Sequence, residues 1–258
     1  MQLPVIDLLN GLSALLIVVF SIVAALIVLS TYLKEPSREK LVTIPALLTM
    51  GLCWLGVATG FIFVLLTGQS LWYVLHFWLQ GWAPVMSAVF WTYLCFSIVK
   101  TEWRARTTGF MVVLLIINLF LLFVLLPFIP PQVEGDITII EGIANFTTSE
   151  GGLLDTTYKS GLLILIAVAI AEVVFIVGPI FFWFAGIKAD DTTINAKGRL
   201  VGVGISLFGV FGAIDAFGTT DPLFLLFVRS TVILSSILIV LGFALPDHLA
   251  KYIVRKKS

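Results

Sequence analysis

Charged residues are scarce in this chain. Lysine and arginine together number 15 among 258 residues, aspartate and glutamate another 15, and 60% of the residues are hydrophobic. Soluble domains are typically about 25% charged, against 12% here. The formal net charge is zero, so nothing indicates a basic partner surface for nucleic acid. The composition predicts an integral membrane protein and no nucleic-acid binding.

Cysteine and histidine are nearly absent as well. The chain has two of each, and both cysteines, Cys53 and Cys95, fall inside apolar segments. Such spacing argues against a disulfide framework and gives no set of metal ligands. No nucleophile paired with a base and no phosphate-binding loop is visible either. We therefore expect no metal, no cofactor and no enzymatic activity.

Long apolar runs dominate what remains. A hydrocarbon core about 30 Å thick needs about 20 apolar helical residues, and continuous runs of this length favour helices over a barrel. We predict an all-α fold, a seven-transmembrane-helix bundle that forms a single domain over residues 1–258 of a multi-pass protein of the cell membrane. Pro84 and Pro179 are predicted to kink the third and fifth helices. The predicted helices cover residues 8–33, 42–67, 71–99, 107–129, 159–187, 196–219 and 222–245.

Basic residues are missing from one side of the predicted bundle. They occur after the first, third and fifth helices and in a tail, 246–258, whereas Lys159 is the only lysine in the connections on the other side. Cytoplasmic loops are enriched in lysine and arginine, so we predict the N-terminus outside and the C-terminus inside. The tail would then lie on an anionic inner leaflet or contact a cytoplasmic partner. The residues that set this asymmetry are Lys34, Arg38, Lys40, Lys100, Arg104, Arg106, Lys188, Lys197, Arg199, Lys251, Arg255, Lys256 and Lys257.

One connection is long. Residues 130–158 join the fourth and fifth predicted helices on the outer side, and the β-branched stretch 136–140 favours a short strand. We predict a small external hairpin or lid there. Asn145, Phe146 and Thr147 form a glycosylation sequon, and whether Asn145 is modified is left open.

Three predicted helices carry an acidic or basic residue within the apolar stretch: Glu172, Asp215 and Arg229. Charges at this depth are costly and find partners, so we predict that Asp215 pairs with Arg229. The pair either locks the last two helices together or contacts a ligand. Glu172 is predicted near the bilayer midplane, where it could bind a cation, carry a proton or hydrogen-bond a neighbouring helix.

Polar and aromatic residues gather at the outer end of the third predicted helix. His76 and Gln80 lie one turn apart on one face, beside Trp72 and Trp78. Some tryptophans belong to an interfacial belt, and others could line an apolar pocket. We predict an outward-facing pocket whose candidate ligand-binding residues are His76, Gln80, Glu172, Asp215, Arg229, Trp72 and Trp78.

The last helix and its exit carry a resemblance. The segment that starts at Arg229 and runs through Gly242 to Pro246, followed by an amphipathic exit, resembles the seven-helix sensor modules that precede histidine kinases in prokaryotes, particularly archaea. This resemblance implies a sensor that passes a helix rearrangement to an output domain. The printed chain ends at Ser258 without such a domain, so we expect a separate partner. Microbial rhodopsins share the topology, but the last helix lacks their retinal-binding lysine.

These observations favour a receptor-like membrane protein, not an enzyme, that senses a small ligand and signals to a cytoplasmic protein. The alternative is a transporter or accessory subunit of a membrane complex with Glu172 as its coupling site. Contact with the lipid bilayer is expected in both cases, and self-association into a homo-oligomer is left open.

Overall fold

The computed structural model describes residues 4–99, 101–140, 144–149, 152–157, 162–216 and 221–244. The predicted tail 246–258 lies outside these residues. The described part is mainly helical, with one small sheet. Its helices are α1 (Val5–Lys34), α2 (Arg38–Leu52), α3 (Leu55–Thr67), α4 (Tyr73–Gln80), α5 (Ala83–Val99), α6 (Thr101–Phe120), α7 (Leu162–Lys188), α8 (Thr192–Ala216) and α9 (Pro222–Ala244).

Several helices can cross a membrane. Within the described residues, five helical segments are long and apolar enough: α1, α6 with its continuation to Phe128, α7, α8 and α9. A sixth span arises if α2 and α3, which meet at an angle of 48°, are counted as one. The predicted third helix, 71–99, is divided into α4 and α5. The chain is thus a multi-pass membrane protein, whereas the predicted count of seven is not confirmed.

Six helices form a closed ring. Going round it, α1, α2, α5, α7, α8 and α9 each pack against the next, and α9 returns to α1. Close contacts need small residues: a Cβ on Gly198 of α8 would lie 2.7 Å from the Cα of Gly186 on α7. Helix α6 lies outside the ring, packed on α5. The outward faces carry many exposed Leu, Ile, Val and Phe side chains, as expected for contact with lipid tails.

Two helix breaks are closed by side chains. Helix α3 begins after Trp54 without a cap of its own, and the Val57 amide in its first turn donates to Gln80 Oε1 at 3.3 Å. The second break lies at Gly81 and Trp82, just before Pro84, which has no N–H to donate to the Gln80 carbonyl one turn earlier. Asn118 Nδ2 donates to the Gly81 carbonyl at 3.1 Å. Both breaks therefore leave fewer backbone groups unsatisfied in an apolar setting.

The end of α6 widens into a π-helical turn, Leu121–Leu125, and then tightens into a 3₁₀ turn, Leu126–Phe128. In the π register the Leu122 carbonyl would accept from residue 127, which is proline and has no N–H. Trp78 Nε1 donates to that carbonyl instead, at 2.8 Å. The indole also stacks on Phe123, with ring centroids 5.5 Å apart.

The connection after α6 folds as a four-stranded antiparallel meander: β1 (Gln132–Glu134), β2 (Ile137–Ile140), β3 (Ala144–Thr148) and β4 (Leu154–Thr157). The strand predicted at 136–140 is confirmed as β2, and the sheet is larger than the predicted hairpin. Asn145 pairs with Ile139 in the register of β3, and its glycosylation stays a prediction. Buried Ile140, Leu153 and Leu154 anchor the sheet on the bundle.

Candidate functional site: a charged cluster joining four helices

Arg229 is the centre of the polar interior. Its side chain is 2% exposed, and it projects from α9 towards α1 and α8. Nε donates to Asp215 Oδ1 at 3.2 Å. Nη1 donates to the backbone carbonyl of Asn10 at 2.6 Å and to Ser13 Oγ at 3.2 Å. The predicted pairing of Asp215 with Arg229 is confirmed.

Asp215 has a second partner on the other side. Trp54 Nε1 donates to Asp215 Oδ2 at 2.6 Å, so both carboxylate oxygens accept from buried or half-buried donors. Trp54 is the residue before α3, at the bend between α2 and α3. The ion pair therefore links α1, α8 and α9 to the bent span, because one guanidinium and one carboxylate serve all four.

A further hydrogen bond near this cluster connects α1 to the sheet. Asp7, in the first turn of α1, is 3% exposed and accepts a hydrogen bond from Ser149 Oγ at 2.7 Å. Ser149 in turn accepts from the Leu153 amide at 3.0 Å. A carboxylate at a helix N-terminus is also favoured by the helix dipole. The turn between β3 and β4 is thus fixed to α1, one helical turn from Asn10.

Glu172 differs from the other acidic groups of the interior. It lies on α7 with one carboxylate oxygen, Oε2, buried and without a hydrogen-bond partner among the described residues. Its Oε1 is 3.9 Å from where a Cβ on Gly212 would stand. Gly212 precedes Asp215 by three residues, so Glu172 reaches the face of α8 that carries the ion pair. It faces the neighbouring helix and not lipid.

His76 and Gln80 lie together on α4, where both are buried. The His76 carbonyl and Gln80 Oε1 approach Gly56 of α3 so closely that a Cβ there would stand 2.5 Å and 2.7 Å from them. Gln80 Oε1 also accepts a hydrogen bond from the Val57 amide. This pair joins α4 to the start of α3, and Trp54 at the adjoining bend connects it with Asp215.

The two candidate tryptophans have different environments. Trp72 is 56% exposed and makes edge-to-face contacts with Tyr73 and Trp78, as an interfacial tryptophan does. Trp78 is held by the Leu122 carbonyl and by Phe123. Trp78 therefore packs at the junction of α4 with the end of α6, and Trp72 lies against Trp78. Neither tryptophan is among the hydrogen-bond partners of Arg229.

The structure thus brings Asp215 and Arg229 into direct contact, with Glu172 against the same helix. The sequence-based prediction missed their partners Trp54, Ser13 and Asn10. Ser13 was detectable as a polar residue inside the first apolar run. Asn10 contributes its backbone carbonyl, which any residue could supply, and Trp54 gave no signal because tryptophan is common in such segments. Among the described residues, no group of three or more His, Cys, Asp or Glu side chains could hold a metal ion.

Comparison with models of known protein families and with curated proteins gives no match to this chain. The class that the fold and cluster define is a multi-pass helical membrane protein with a buried ion pair.

Proposed function

We propose that this chain is a receptor-like protein of the cell membrane that senses a small ligand in its outer half and signals to a separate cytoplasmic protein. In this proposal α2 with α3, and α4 with α5, each make one crossing, which gives seven in total. The end of the bundle that carries the sheet faces outward. Arg38, Arg104 and Lys188, all at the opposite end, support this orientation by the positive-inside rule.

The observation that carries the proposal is the set of contacts around Arg229. Polar contacts lead from the sheet through Ser149 and Asp7 to α1, and the Asn10 carbonyl and Ser13 join α1 to Arg229. From there Asp215 and Trp54 lead to the bend between α2 and α3. A shift of the sheet or of α1 would change the partners of a buried charge. Since buried pairs are costly to break, the helices would have to rearrange together.

The surroundings of Glu172 favour a ligand that carries a positive charge. Arg229 and Asp215 are already engaged with each other and with Ser13 and Trp54, whereas Glu172 has a carboxylate oxygen without a partner among the described residues. A buried carboxylate is best satisfied by a hydrogen-bonded cation. The proposed ligand is therefore a small molecule with an ammonium group that binds Glu172 next to the ion pair.

The transmission can be tested by fixing the sheet to α1. Asp7→Cys with Ser149→Cys, in a chain with Cys53→Ala and Cys95→Ala, replaces the hydrogen bond between these two side chains by a disulfide. We expect oxidation to slow amide hydrogen exchange at residues 54–58, the bend that Trp54 connects to Asp215. Slowing by at least about threefold corresponds to local stabilisation of roughly 0.6 kcal/mol.

The matched control is a disulfide inside the sheet. Val133 and Thr138 are directly opposed in β1 and β2, so Val133→Cys with Thr138→Cys fixes the sheet without attaching it to α1. This control should leave exchange at the bend unchanged. The proposed transmission would be contradicted if both disulfides slowed exchange at the bend equally. It would also be contradicted if the disulfide between positions 7 and 149 slowed exchange only within the sheet.

The proposed orientation has its own test. Single cysteines introduced as Glu134→Cys on β1 and Asp190→Cys between α7 and α8, in the same cysteine-free chain, lie at opposite ends of the bundle. A membrane-impermeant maleimide applied to whole cells should label the first and spare the second. The reverse pattern would invert the topology.

Glu172 also favours the second candidate function, a transporter or an accessory subunit that couples to ion movement. A protonatable group in the interior of a bundle is the usual mark of an ion or proton path. Proteoliposomes with an internal pH dye would show flux under a Na⁺, K⁺ or proton gradient, abolished by Glu172→Gln. Absence of flux together with binding of amines by the wild type, but not by Glu172→Gln, favours the receptor.

A further inference from the structure

A groove opens sideways between α5, α6 and α7, away from the charged cluster. Helix α6 packs along α5 but contacts α7 only sparsely, which leaves a space of about 460 Å³. Its walls include Phe96, Phe110, Val173, Val177 and Phe181. A groove with apolar walls on the lipid-facing side of a bundle suits a hydrocarbon chain, because neither partner gives up hydrogen bonds to water.

The rim of this groove carries a positive charge. Arg106, in the second turn of α6, is exposed, lines the groove, and lies at the end of the bundle opposite the sheet. It forms no ion pair among the described residues. Arg104, two residues earlier, instead lies over the ring of Tyr93 at 5.2 Å and does not line the groove. The groove therefore joins an apolar interior to one available guanidinium, a donor well suited to phosphate.

Thr92 adds a polar group inside the groove wall. It is 3% exposed, and its hydroxyl oxygen has no hydrogen-bond partner among the described residues. A buried hydroxyl without a partner is costly. Because Thr92 lines the groove, an oxygen of a glycerol linkage bound there could accept the hydrogen bond of this hydroxyl.

We infer that the groove between α5, α6 and α7 is a binding site for one anionic glycerophospholipid, with the phosphate at Arg106 and an acyl chain along Val173 and Val177. Charge complementarity selects this occupant over a neutral lipid, because Arg106 is the charged residue among the described residues that line the groove, and it forms no ion pair with them. The site is separate from the ion pair of Arg229 and does not depend on the proposed receptor function.

Native mass spectrometry of the full chain released from detergent micelles tests this inference, with added phosphatidylglycerol or phosphatidylcholine as probes. We expect one retained phosphatidylglycerol at saturating lipid. Arg106→Gln should weaken its binding by about fivefold, the factor expected from about 1 kcal/mol for one basic residue near an anionic lipid. Binding of phosphatidylcholine should not change.

Two substitutions that fill the groove complete the design. Val177→Trp and Val173→Trp project into the space from successive turns of α7, and each should abolish retention of the lipid; the second serves if the first does not fold. Ile176→Trp places the same bulk on an exposed position of α7 outside the groove, and Arg104→Gln removes a charge away from it. Both controls should bind like the wild type.

The inference fails if the folded groove-filling variants retain phosphatidylglycerol as well as Ile176→Trp does. It also fails if Arg104→Gln weakens binding as much as Arg106→Gln, since the effect would then be a general attraction to basic residues. Equal retention of the two lipids by the wild type would remove the role assigned to Arg106.

Discussion

Removing the charge of Asp215 tests how far the buried cluster stabilises the bundle. Asp215→Asn keeps the size of the side chain and an oxygen for Trp54, but it leaves the charge of Arg229 uncompensated at 2% exposure. Two unit charges 3.2 Å apart attract by roughly 5 kcal/mol at an effective dielectric constant of about 20, and desolvation offsets much of this. Breaking one side of a buried pair usually costs about 3 to 5 kcal/mol. We expect a loss near 3 kcal/mol in the free energy of unfolding, since Arg229 keeps Ser13 and the Asn10 carbonyl.

Reversible unfolding in mixed detergent micelles, followed by circular dichroism, measures this loss. The same measurement on Arg229→Met, and on the double variant, closes a thermodynamic cycle. Arg229→Met should cost less, because Asp215 is more exposed and keeps the donor of Trp54. The double variant should be more stable than Asp215→Asn alone, because no unpaired charge remains. A loss below about 1 kcal/mol for Asp215→Asn would refute this account, because that is the scale of ordinary hydrogen bonds within membranes. A double variant less stable than both single variants would refute it as well.

Two further substitutions test the packing and the helix breaks. Gly198→Ile should lower the free energy of unfolding by about 1 to 3 kcal/mol, because its Cβ would meet the backbone of Gly186. Gly109→Ala is the control: no atom lies within 4 Å of its added Cβ, so thermal unfolding should occur at an equal or higher temperature. Trp78→Phe should cost about 1 to 3 kcal/mol by leaving the Leu122 carbonyl without its donor; a smaller loss in the same micelles would mean that water or another donor replaces the indole.

The sequence predicted the helical class because apolar runs of the length of a bilayer have few other solutions. Its boundaries were least accurate where helices break. The run 42–67 gave no sign of the bend before Trp54, since a break needs only a side chain from elsewhere, here Gln80, to satisfy the new helix start. Pro84 was predicted to kink one continuous helix, whereas the run is divided and Pro84 is the second residue of the separate helix α5.

For the candidate site, the sequence predicted the central ion pair but not the other residues that contact it. Asp215 and Arg229 were paired correctly because a charge in an apolar helix has few possible partners, and they are near each other in sequence. The contributions of Trp54 and the Asn10 carbonyl lie 161 and 219 residues from the groups they contact. Such contacts depend on the ring order of the helices, which hydropathy does not encode.

The polar groups of the interior act in two different ways, and this separates structural roles from functional ones. Gln80, Asn118 and Trp78 satisfy backbone groups at the irregular parts of helices, so their substitution should lower stability whatever the protein does. Arg229 and Asp215 satisfy each other. Among the acidic side chains of the described interior, Glu172 is the one with a buried oxygen that neither role accounts for. Glu172→Gln should therefore leave the free energy of unfolding unchanged or raise it, because it removes a buried carboxylate without removing a partner, while binding of an ammonium ligand is lost. A marked loss of stability in the same micelles would show instead that Glu172 is a structural group, and the ligand class proposed from it would have to be abandoned.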